Sequence, residues 1–482
     1  MANATGILFA AQILGAGLQL LALRTVQNTL SKAANGEFYW VQQVSMFVFF
    51  TFVEMGMNAV ATRMVVQNEQ RKERIIATFF KVRLVLWFVA SLCLGLYAWA
   101  VVPDALVQLS IYAAFSLLGA RALLLRSALE VSFRARNLQL LPALTGVLDV
   151  ALFAACIAAD GVFTPLTPVR VMAWLLVSAV PGFCIMLAAE GQWKWLWRER
   201  IDTGVARELF RETLPLFAST ILLQIQATCD TFILDAFCGK EAVGVYGAAM
   251  RLAVQGIALL MILPAVISPA VSALRASNDE RFKTYIAEGL VLTLLVAILF
   301  AAGITVLAEP LIFLTAGRQY IANTKEFALA AWSVVGSMMV AYTLALFIAI
   351  GEQRRLYAMF WVLSISSVAA NLVVTPLWGV QGALAARILA TVASGMVGVA
   401  IMAGVVGKKL AWHGVVRVLA VVAIVAPTAF FLPNIISPSF ANEFVRHTVA
   451  GASICTVFGL ACLMTGLLSK REVALFRSLL RR

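Results

Sequence analysis

Residues 223–255 read LQIQATCDTFILDAFCGKEAVGVYGAAMRLAVQ. The pattern predicts two apolar helices joined by a turn at Gly239-Lys240, with an acid, Asp230, in the first and a base, Arg251, in the second. Asp230 lies eight residues back from the turn, and Arg251 lies nine residues past a second helix expected to start at Ala242. At about 1.5 Å per residue both sit roughly 12–14 Å from the same face of a membrane. Ionisable side chains are costly in hydrocarbon and usually face a bundle interior or a watery path. Opposite charges at matched depth imply a chain that carries something polar through a bilayer.

The rest of the sequence fits that setting. The chain has 482 residues, 62% hydrophobic and only 13% charged, against about 25% charged in soluble domains. The apolar residues fall in blocks of about 18–27, which is spanning length. Fourteen are expected, near 6–23, 38–62, 83–102, 105–125, 141–159, 169–189, 214–238, 242–266, 286–308, 326–349, 357–377, 380–406, 415–433 and 446–468. The expected fold class is an all-α polytopic membrane protein with about fourteen transmembrane helices.

The net charge of +13 could suggest a nucleic-acid partner, but its distribution excludes one as the main reading. Of 37 Lys and Arg, only Arg24, Lys32, Arg170, Lys240, Arg318, Lys325 and Arg446 fall in one set of alternate loops. Arg251 and Arg387 lie inside blocks. The other 28 lie in the opposite loops, near the helix ends beside them, or in the C-terminal tail. That bias is the positive-inside pattern, and it places both termini in the cytoplasm with an even number of spans. The seven cysteines all lie in or at the end of apolar blocks, without a C-x-x-C, and read as packing residues. With two distant histidines, His413 and His447, a His-based metal or catalytic centre is not expected. The first charge, Arg24, follows the first block, so that block reads as a retained helix.

The segment Gln192–Thr213 separates the first twelve blocks into six and six. Its Trp193, Trp195 and Trp197 interleave with Lys194, Arg198 and Arg200, the composition of a membrane-surface linker. The expected domains are 1–191, the linker 192–213, a second bundle at 214–410, and a helix pair with a basic tail at 411–482. Block 8 opens GVYGAAMRLA from Gly244, block 12 opens GVQGALAARILA from Gly379, and block 2 opens more loosely, GEFYWVQQVS from Gly36. Internal repeats of this kind mark transporters whose path lies between two bundles. Pro264 and Pro269 are expected to kink or end block 8.

Five ionisable residues sit well inside blocks, each with a polar neighbour four residues away: Glu54 with Asn58, Asp149 with Thr145, Asp230 with Gln226, Arg251 with Gln255, and Arg387 with Thr391. Residues four apart share a helix face, so each charge belongs to a polar stripe turned toward a hydrated interior. The arginines are candidates to grip an anion such as a diphosphate, because the guanidinium is a forked donor. Asp230, Glu54 and Asp149 are candidates for gating or for carrying a coupling ion, H+ or Na+. Asp230 and Arg251 could equally neutralise each other across the hairpin, whereas Arg387 has no partner by spacing. Arg121, Arg126, Arg134 and Arg136 gather at the inside end of block 4 and read mainly as topology. The outside loops are short, and the longest, near 308–325, holds no Asp-x-Asp or Glu-x-Asp pair. No G-x-x-x-x-G-K-[ST] loop occurs, so the chain carries no ATP-driven pump motif. An enzyme is not expected, and no cofactor is.

The stretch from Asp230 to Leu252, with its Asp, apolar run, short Gly turn and G-V-Y-G-A-A-M-R, resembles the polysaccharide transporters of the MOP (multidrug/oligosaccharidyl-lipid/polysaccharide) exporter superfamily, the Wzx-type O-antigen and exopolysaccharide flippases. The first hairpin, Arg24 to Ala61, and the start of block 12, Gly379 to Arg387, resemble them too, although Gly36-Glu37-Phe38-Tyr39 departs from the usual Tyr-Gly-x-Tyr. The resemblance implies a MATE-like fold of two six-helix lobes plus a C-terminal helix pair in the bacterial inner membrane. It implies translocation of an undecaprenyl-diphosphate-linked oligosaccharide to the periplasmic leaflet by alternating access, with Arg251 and Arg387 in a cationic cavity. Partners would be the lipid-linked oligosaccharide, membrane lipids, and a polysaccharide polymerase with chain-length proteins. A multidrug cation antiporter would prefer acids without intramembrane arginines. A lipid II flippase would gather its arginines in the first bundle, where none is expected deep. A non-transporting scaffold of a polysaccharide assembly complex is the remaining alternative.

Overall fold

In the computed structural model, residues 2–101, 112–113, 115–119, 122, 124, 126–135, 138, 140–163, 166–191, 195–277, 281–436 and 443–467 are described. Among them the chain is helical, with no strand. The span expected at 105–125 falls largely outside these residues, as do Arg121, Arg136, Trp193, Lys194, the side chains of Arg134 and Trp195, and the tail beyond 467.

The described helices are α1 (Ala2–Thr29), α2 (Lys32–Phe49), α3 (Met57–Gln67), α4 (Lys72–Val101), α5 (Ser127–Ala135), α6 (Leu140–Phe163), α7 (Pro168–Glu190), the single turn α8 (Trp195–Arg198), α9 (Thr203–Leu260), α10 (Ile262–Ala276), α11 (Arg281–Val306), α12 (Ala308–Thr315), α13 (Thr324–Ala349), α14 (Tyr357–Val406), α15 (Lys408–Ile436) and α16 (Glu443–Met464). Nine segments among the described residues are long and apolar enough to cross a membrane. Two of them, Phe217–Ser272 and Arg354–Val406, contain a turn and cover two expected blocks each. The chain is a multi-pass membrane protein.

Both turns are glycines in backbone conformations that a Cβ would oppose, Gly239 at φ 77° and Gly379 at φ 56°. The helical geometry resumes at Lys240, two residues before the expected start at Ala242. Helix α9 ends at Leu260 rather than at a proline. Pro264 lies in the first turn of α10, where its missing N–H leaves the Leu260 carbonyl without its usual helical partner.

Chain contacts divide the molecule into two compact units, Met1–Gly247 and Ala248–Arg482. In the first, α1 packs on α6, α6 on α7, and α3 on α4 and α5. One apolar core joins Val26, Phe38, Val41, Tyr112, Ile157 and Met172; another joins Met57, Ile76, Phe79, Phe80, Leu124 and Leu209. The linker docks on α4: Lys81 Nζ donates to the Trp197 and Glu199 carbonyls, and Phe80 meets Trp197 edge to face at 5.1 Å. Asp202 then caps α9, accepting from the Gly204 and Val205 N–H groups at 2.9 and 3.2 Å. In the second unit α13 packs on α14 and α11, and the pair α15 and α16 packs on α11. Small residues allow the closest of these approaches, as where Gly336 of α13 meets the Thr391 side chain of α14.

Two expectations need correction. Block 2 is not one continuous span. A π turn at Phe50–Glu54 ends α2, Met55 and Gly56 follow in the left-handed region (φ 49° and 82°), and α3 starts afresh at Met57. Block 3 does not begin at Arg83. Helix α4 starts at Lys72, so Arg83 lies three turns inside it and is completely buried.

Candidate functional site

The hairpin of α9 places Asp230 nine residues before Gly239 and fully buried. Its carboxylate accepts from the Tyr246 hydroxyl across the turn, in a short contact, and from the Thr231 N–H at 3.0 Å. Tyr246 in turn meets Tyr39 of α2 edge to face at 6.5 Å. The close fit of α2 against the hairpin depends on glycines. A Cβ at Gly36 would lie 1.7 Å from the Lys240 carbonyl oxygen, and one at Gly244 would lie 2.0 Å from that of Lys32. Lys240 bridges to Asp235 at 2.6 Å and lies 3.9 Å from the centre of the Trp40 ring. Gln226 is buried one turn before Asp230.

Arg251 lies past the unit boundary, half-buried, twelve residues after Gly239, with half-buried Gln255 one turn beyond. Arg387, also half-buried, lies eight residues after Gly379. At about 1.5 Å per residue these depths are roughly 18 and 12 Å from their own turns, with Asp230 at roughly 14 Å. The matched depth expected of Asp230 and Arg251 is therefore off by about one turn, because the second limb begins earlier than its apolar pattern suggests. The Thr391 hydroxyl donates to the Arg387 carbonyl of its own helix at 2.8 Å and is pressed against Gly336, which makes it a packing group.

The remaining acids meet arginines that the sequence pattern had set at the membrane edge. Arg83 Nη1 donates to Asn58 Oδ1 and to Ser127 Oγ, both at 2.7 Å, and Ser127 Oγ makes a short contact to the same Asn58 oxygen. Arg83 Nη2 lies 3.8 Å from Glu54 Oε2. Glu54 and Asn58 do not share one helix face, since the Met55-Gly56 break lies between them, yet both address Arg83. One layer along, Arg126 Nη1 donates to Asp149 Oδ2 at 2.6 Å, Nε to Glu130 Oε1 at 3.1 Å, and Nη2 to the Pro142 carbonyl at 3.1 Å. Asp149 is pressed against Gly182 of α7. Beyond it Ser132 donates to the buried Glu190. These groups form a line of buried polar contacts through α3, α4, α5, α6 and α7, on a background of apolar helices where each such group must find its partner inside the protein. Among the described residues no three His, Cys, Asp or Glu side chains gather as a metal site requires.

Arg83 and Tyr246 are the members that sequence reasoning passed over. Arg83 was hidden by the charges before it, which end a hydropathy window early. Tyr246 stood in the G-V-Y-G of the hairpin, but no spacing rule ties it to Asp230.

The fold is that of the membrane transporters of the MOP superfamily. Similar solved structures include the lipid II flippase MurJ in an inward closed conformation (TM-score 0.70, 13% identity, covering 98% of this chain and 100% of that one). A multidrug resistance MATE family transporter of the MOP superfamily, facing inward, matches at TM-score 0.60 and 14% identity, over 86% and 95% of the two chains. A MOP superfamily transporter from Pyrococcus furiosus, reported with a binding pocket of reverse polarity, matches at 0.61 and 14%, over 84% and 96%. No curated protein matches the sequence. The chain belongs to the polysaccharide biosynthesis protein family, whose model it matches over residues 1–275.

Proposed function

We propose that this protein is a flippase that moves an undecaprenyl-diphosphate-linked oligosaccharide from the cytoplasmic to the periplasmic leaflet by alternating access, driven by H+ or Na+, for surface polysaccharide synthesis such as O-antigen or exopolysaccharide. The observation that carries this reading is the pair of glycine-turned hairpins whose second limbs each bear an arginine at membrane depth, Arg251 and Arg387, in a chain of the polysaccharide biosynthesis family. A diphosphate is the part of such a substrate that hydrocarbon rejects most strongly, and a guanidinium away from bulk water is the side chain best suited to hold it. The chain works as a transporter and not as an enzyme. It lies in the bacterial inner membrane with both termini cytoplasmic. Its two lobes, 1–191 and 214–410, are joined by the surface linker 192–213 and followed by the helix pair and tail of 411–482. A polymerase and chain-length proteins receive the product.

The test is export in a strain lacking its own flippase. Arg387→Glu should abolish polysaccharide export, and Arg387→Lys should retain part of it. Full export by Arg387→Glu would end the cation-grip reading. A second reading, lipid II as cargo, is favoured by one observation: Arg83 and Arg126 stand deep in the first unit, where the sequence pattern placed no arginine. Rescue of a strain depleted of its lipid II flippase, without rescue of polysaccharide export, would select that cargo. A drug-sensitivity phenotype alone would select a multidrug antiporter. Export that survives every cavity substitution would select a scaffold.

A further inference from the structure

The sparser set of loops holds seven Lys and Arg, and two of them, Lys325 and Arg446, line one cavity of about 240 Å³ in the second unit. It lies where α12 and α13 begin, against α15 and the first turns of α16. A chain that keeps cations scarce on one side has gathered two here, with His447 beside them. Val306, Ala328 and Phe430 give the cavity apolar walls, and a charge beside such walls acts more strongly than one in open water.

The polar atoms converge on one oxygen. Arg446 Nη2 donates to Glu309 Oε2 at 2.5 Å, His447 Nε2 lies 3.8 Å from the same oxygen, and Arg446 Nη2 lies 3.3 Å from His447 Nε2. The side chains of Arg446 and His447 are only 22% and 20% exposed, whereas that of Glu309 is 49% exposed. The cationic groups are part of the wall, and the carboxylate reaches them from the open side. An ion pair with a half-exposed partner contributes little and is easily exchanged. Glu309 is the one acid lining the cavity among the described residues, so Lys325 and Arg446 exceed it by one charge, and a protonated His447 makes the excess two. The neighbouring acid Glu326 accepts from Gln381 Nε2 at 3.0 Å. The Thr305 hydroxyl is committed too, donating to the Ala301 carbonyl at 2.8 Å and accepting from Trp332 Nε1 at 3.0 Å.

We propose that this cavity binds a terminal phosphate, and that the Glu309 carboxylate stands in for it when no ligand is bound. A second carboxylate would bring two oxygens and one charge, which Glu309 already supplies. A terminal phosphate brings three free oxygens and nearly two charges, matching the guanidinium, the imidazole and the Lys325 ammonium together. Its oxygens take the place of Glu309 Oε2 on Arg446, where the guanidinium is a forked donor. Glu309 then turns to solvent, and the tie between α12 and α16 is exchanged for one from the ligand to α13 and α16. The phosphate comes either free or as the headgroup of a lipid phosphomonoester.

The experiment is calorimetric titration of inorganic phosphate into the purified full-length protein in detergent, at an ionic strength held with chloride. Wild type should bind, and Arg446→Gln should weaken binding by at least about tenfold. Arg446→Lys should keep part of the affinity, and Lys325→Gln should weaken it by about two- to fivefold. Glu309→Gln should tighten binding by about fivefold, because the resident carboxylate no longer competes. Arg417→Gln, whose guanidinium bonds the Gly466 carbonyl instead, should bind as wild type. If Arg446→Gln does not fold, Glu309→Gln and Lys325→Gln decide the matter. No binding above the chloride background in both wild type and Glu309→Gln overturns the proposal. So does weaker binding by Glu309→Gln, which would make the Glu309–Arg446 pair a structural tie only. Repeating the titration in phosphatidylcholine nanodiscs with and without phosphatidic acid separates the two sources. Phosphatidic acid that blocks phosphate binding identifies the lipid headgroup, and binding that it leaves unchanged identifies free phosphate. No cargo enters these measurements, so their failure is separate from that of the flippase reading, which the export test decides.

Discussion

Replacing Gly182 with Ala tests whether the Arg126–Asp149 pair is a fixed brace. A Cβ at this position would lie 2.2 Å from Asp149 Oδ1 and 2.9 Å from the Thr145 carbonyl oxygen. To reach ordinary contact the carboxylate must move by about 1 Å, and the 2.6 Å bond from Arg126 Nη1 to Asp149 Oδ2 has little tolerance for a shift of that size. A hydrogen bond to a charged group contributes about 1.5–3 kcal/mol. Overpacking adds about 1–3 kcal/mol, and the better helix propensity of Ala returns about 1 kcal/mol. The net loss is about 1.5–5 kcal/mol, read as a drop of several degrees in the melting temperature of the detergent-solubilised protein. The decisive comparison is a double-mutant cycle with Asp149→Ala, where the clashing oxygen is gone. There Gly182→Ala should cost less than about 1 kcal/mol. Equal losses in the two backgrounds would refute the reasoning, because the damage would then come from the Thr145 backbone and not from the carboxylate.

Tyr246→Phe takes one donor from the fully buried Asp230 and should cost about 1–3 kcal/mol in thermal unfolding; an unchanged melting temperature would show that Asp230 is satisfied without it. Gly36→Ala should destabilise by about 1–3 kcal/mol, since its Cβ meets the Lys240 carbonyl, whereas Gly17→Ala, with nothing within 4 Å, should be neutral or stabilising in the same assay. Thr391→Val should leave polysaccharide export unchanged, because the hydroxyl is bonded to its own helix and faces Gly336; lost export in a stably expressed variant would return Thr391 to the substrate path.

The glycine turns at 239 and 379 were legible because each separates two apolar runs of spanning length and few other residues accept a positive φ. The break at Met55-Gly56 was not. Its neighbours, Phe-Thr-Phe-Val-Glu-Met, contain no proline, and hydropathy registers depth in the membrane but not backbone geometry. The same limit misplaced Arg83. Lys72, Glu73, Arg74 and Lys81 end the apolar window while the helix continues through them. Spacing found faces but not partners. It paired Glu54 with Asn58 as one helix face, but the break at Met55-Gly56 lies between them, and the cation that both address comes from another helix. It linked Arg387 to Thr391, whose hydroxyl bonds the backbone instead. Partners separated by tens of residues are decided by how helices pack.

The two hairpin arginines are not equivalent, and this bears on how they could serve one anion. Their sequence echo aligns Gly244 with Gly379, yet the turns are Gly239 and Gly379, which leaves Arg251 about 6 Å deeper from its own turn than Arg387. In the proposed flippase, a diphosphate held by both at once would lose part of its grip when either is neutralised, and the double variant would compound the two losses. A diphosphate passed from one depth to the other meets the arginines in series, so either loss alone stops passage and the second adds nothing. Arg251→Gln, Arg387→Gln and the double variant should therefore show equal, near-complete export defects. Two partial defects that multiply in the double variant would mean a single shared grip, and would place the two side chains at one level despite their count from the turns.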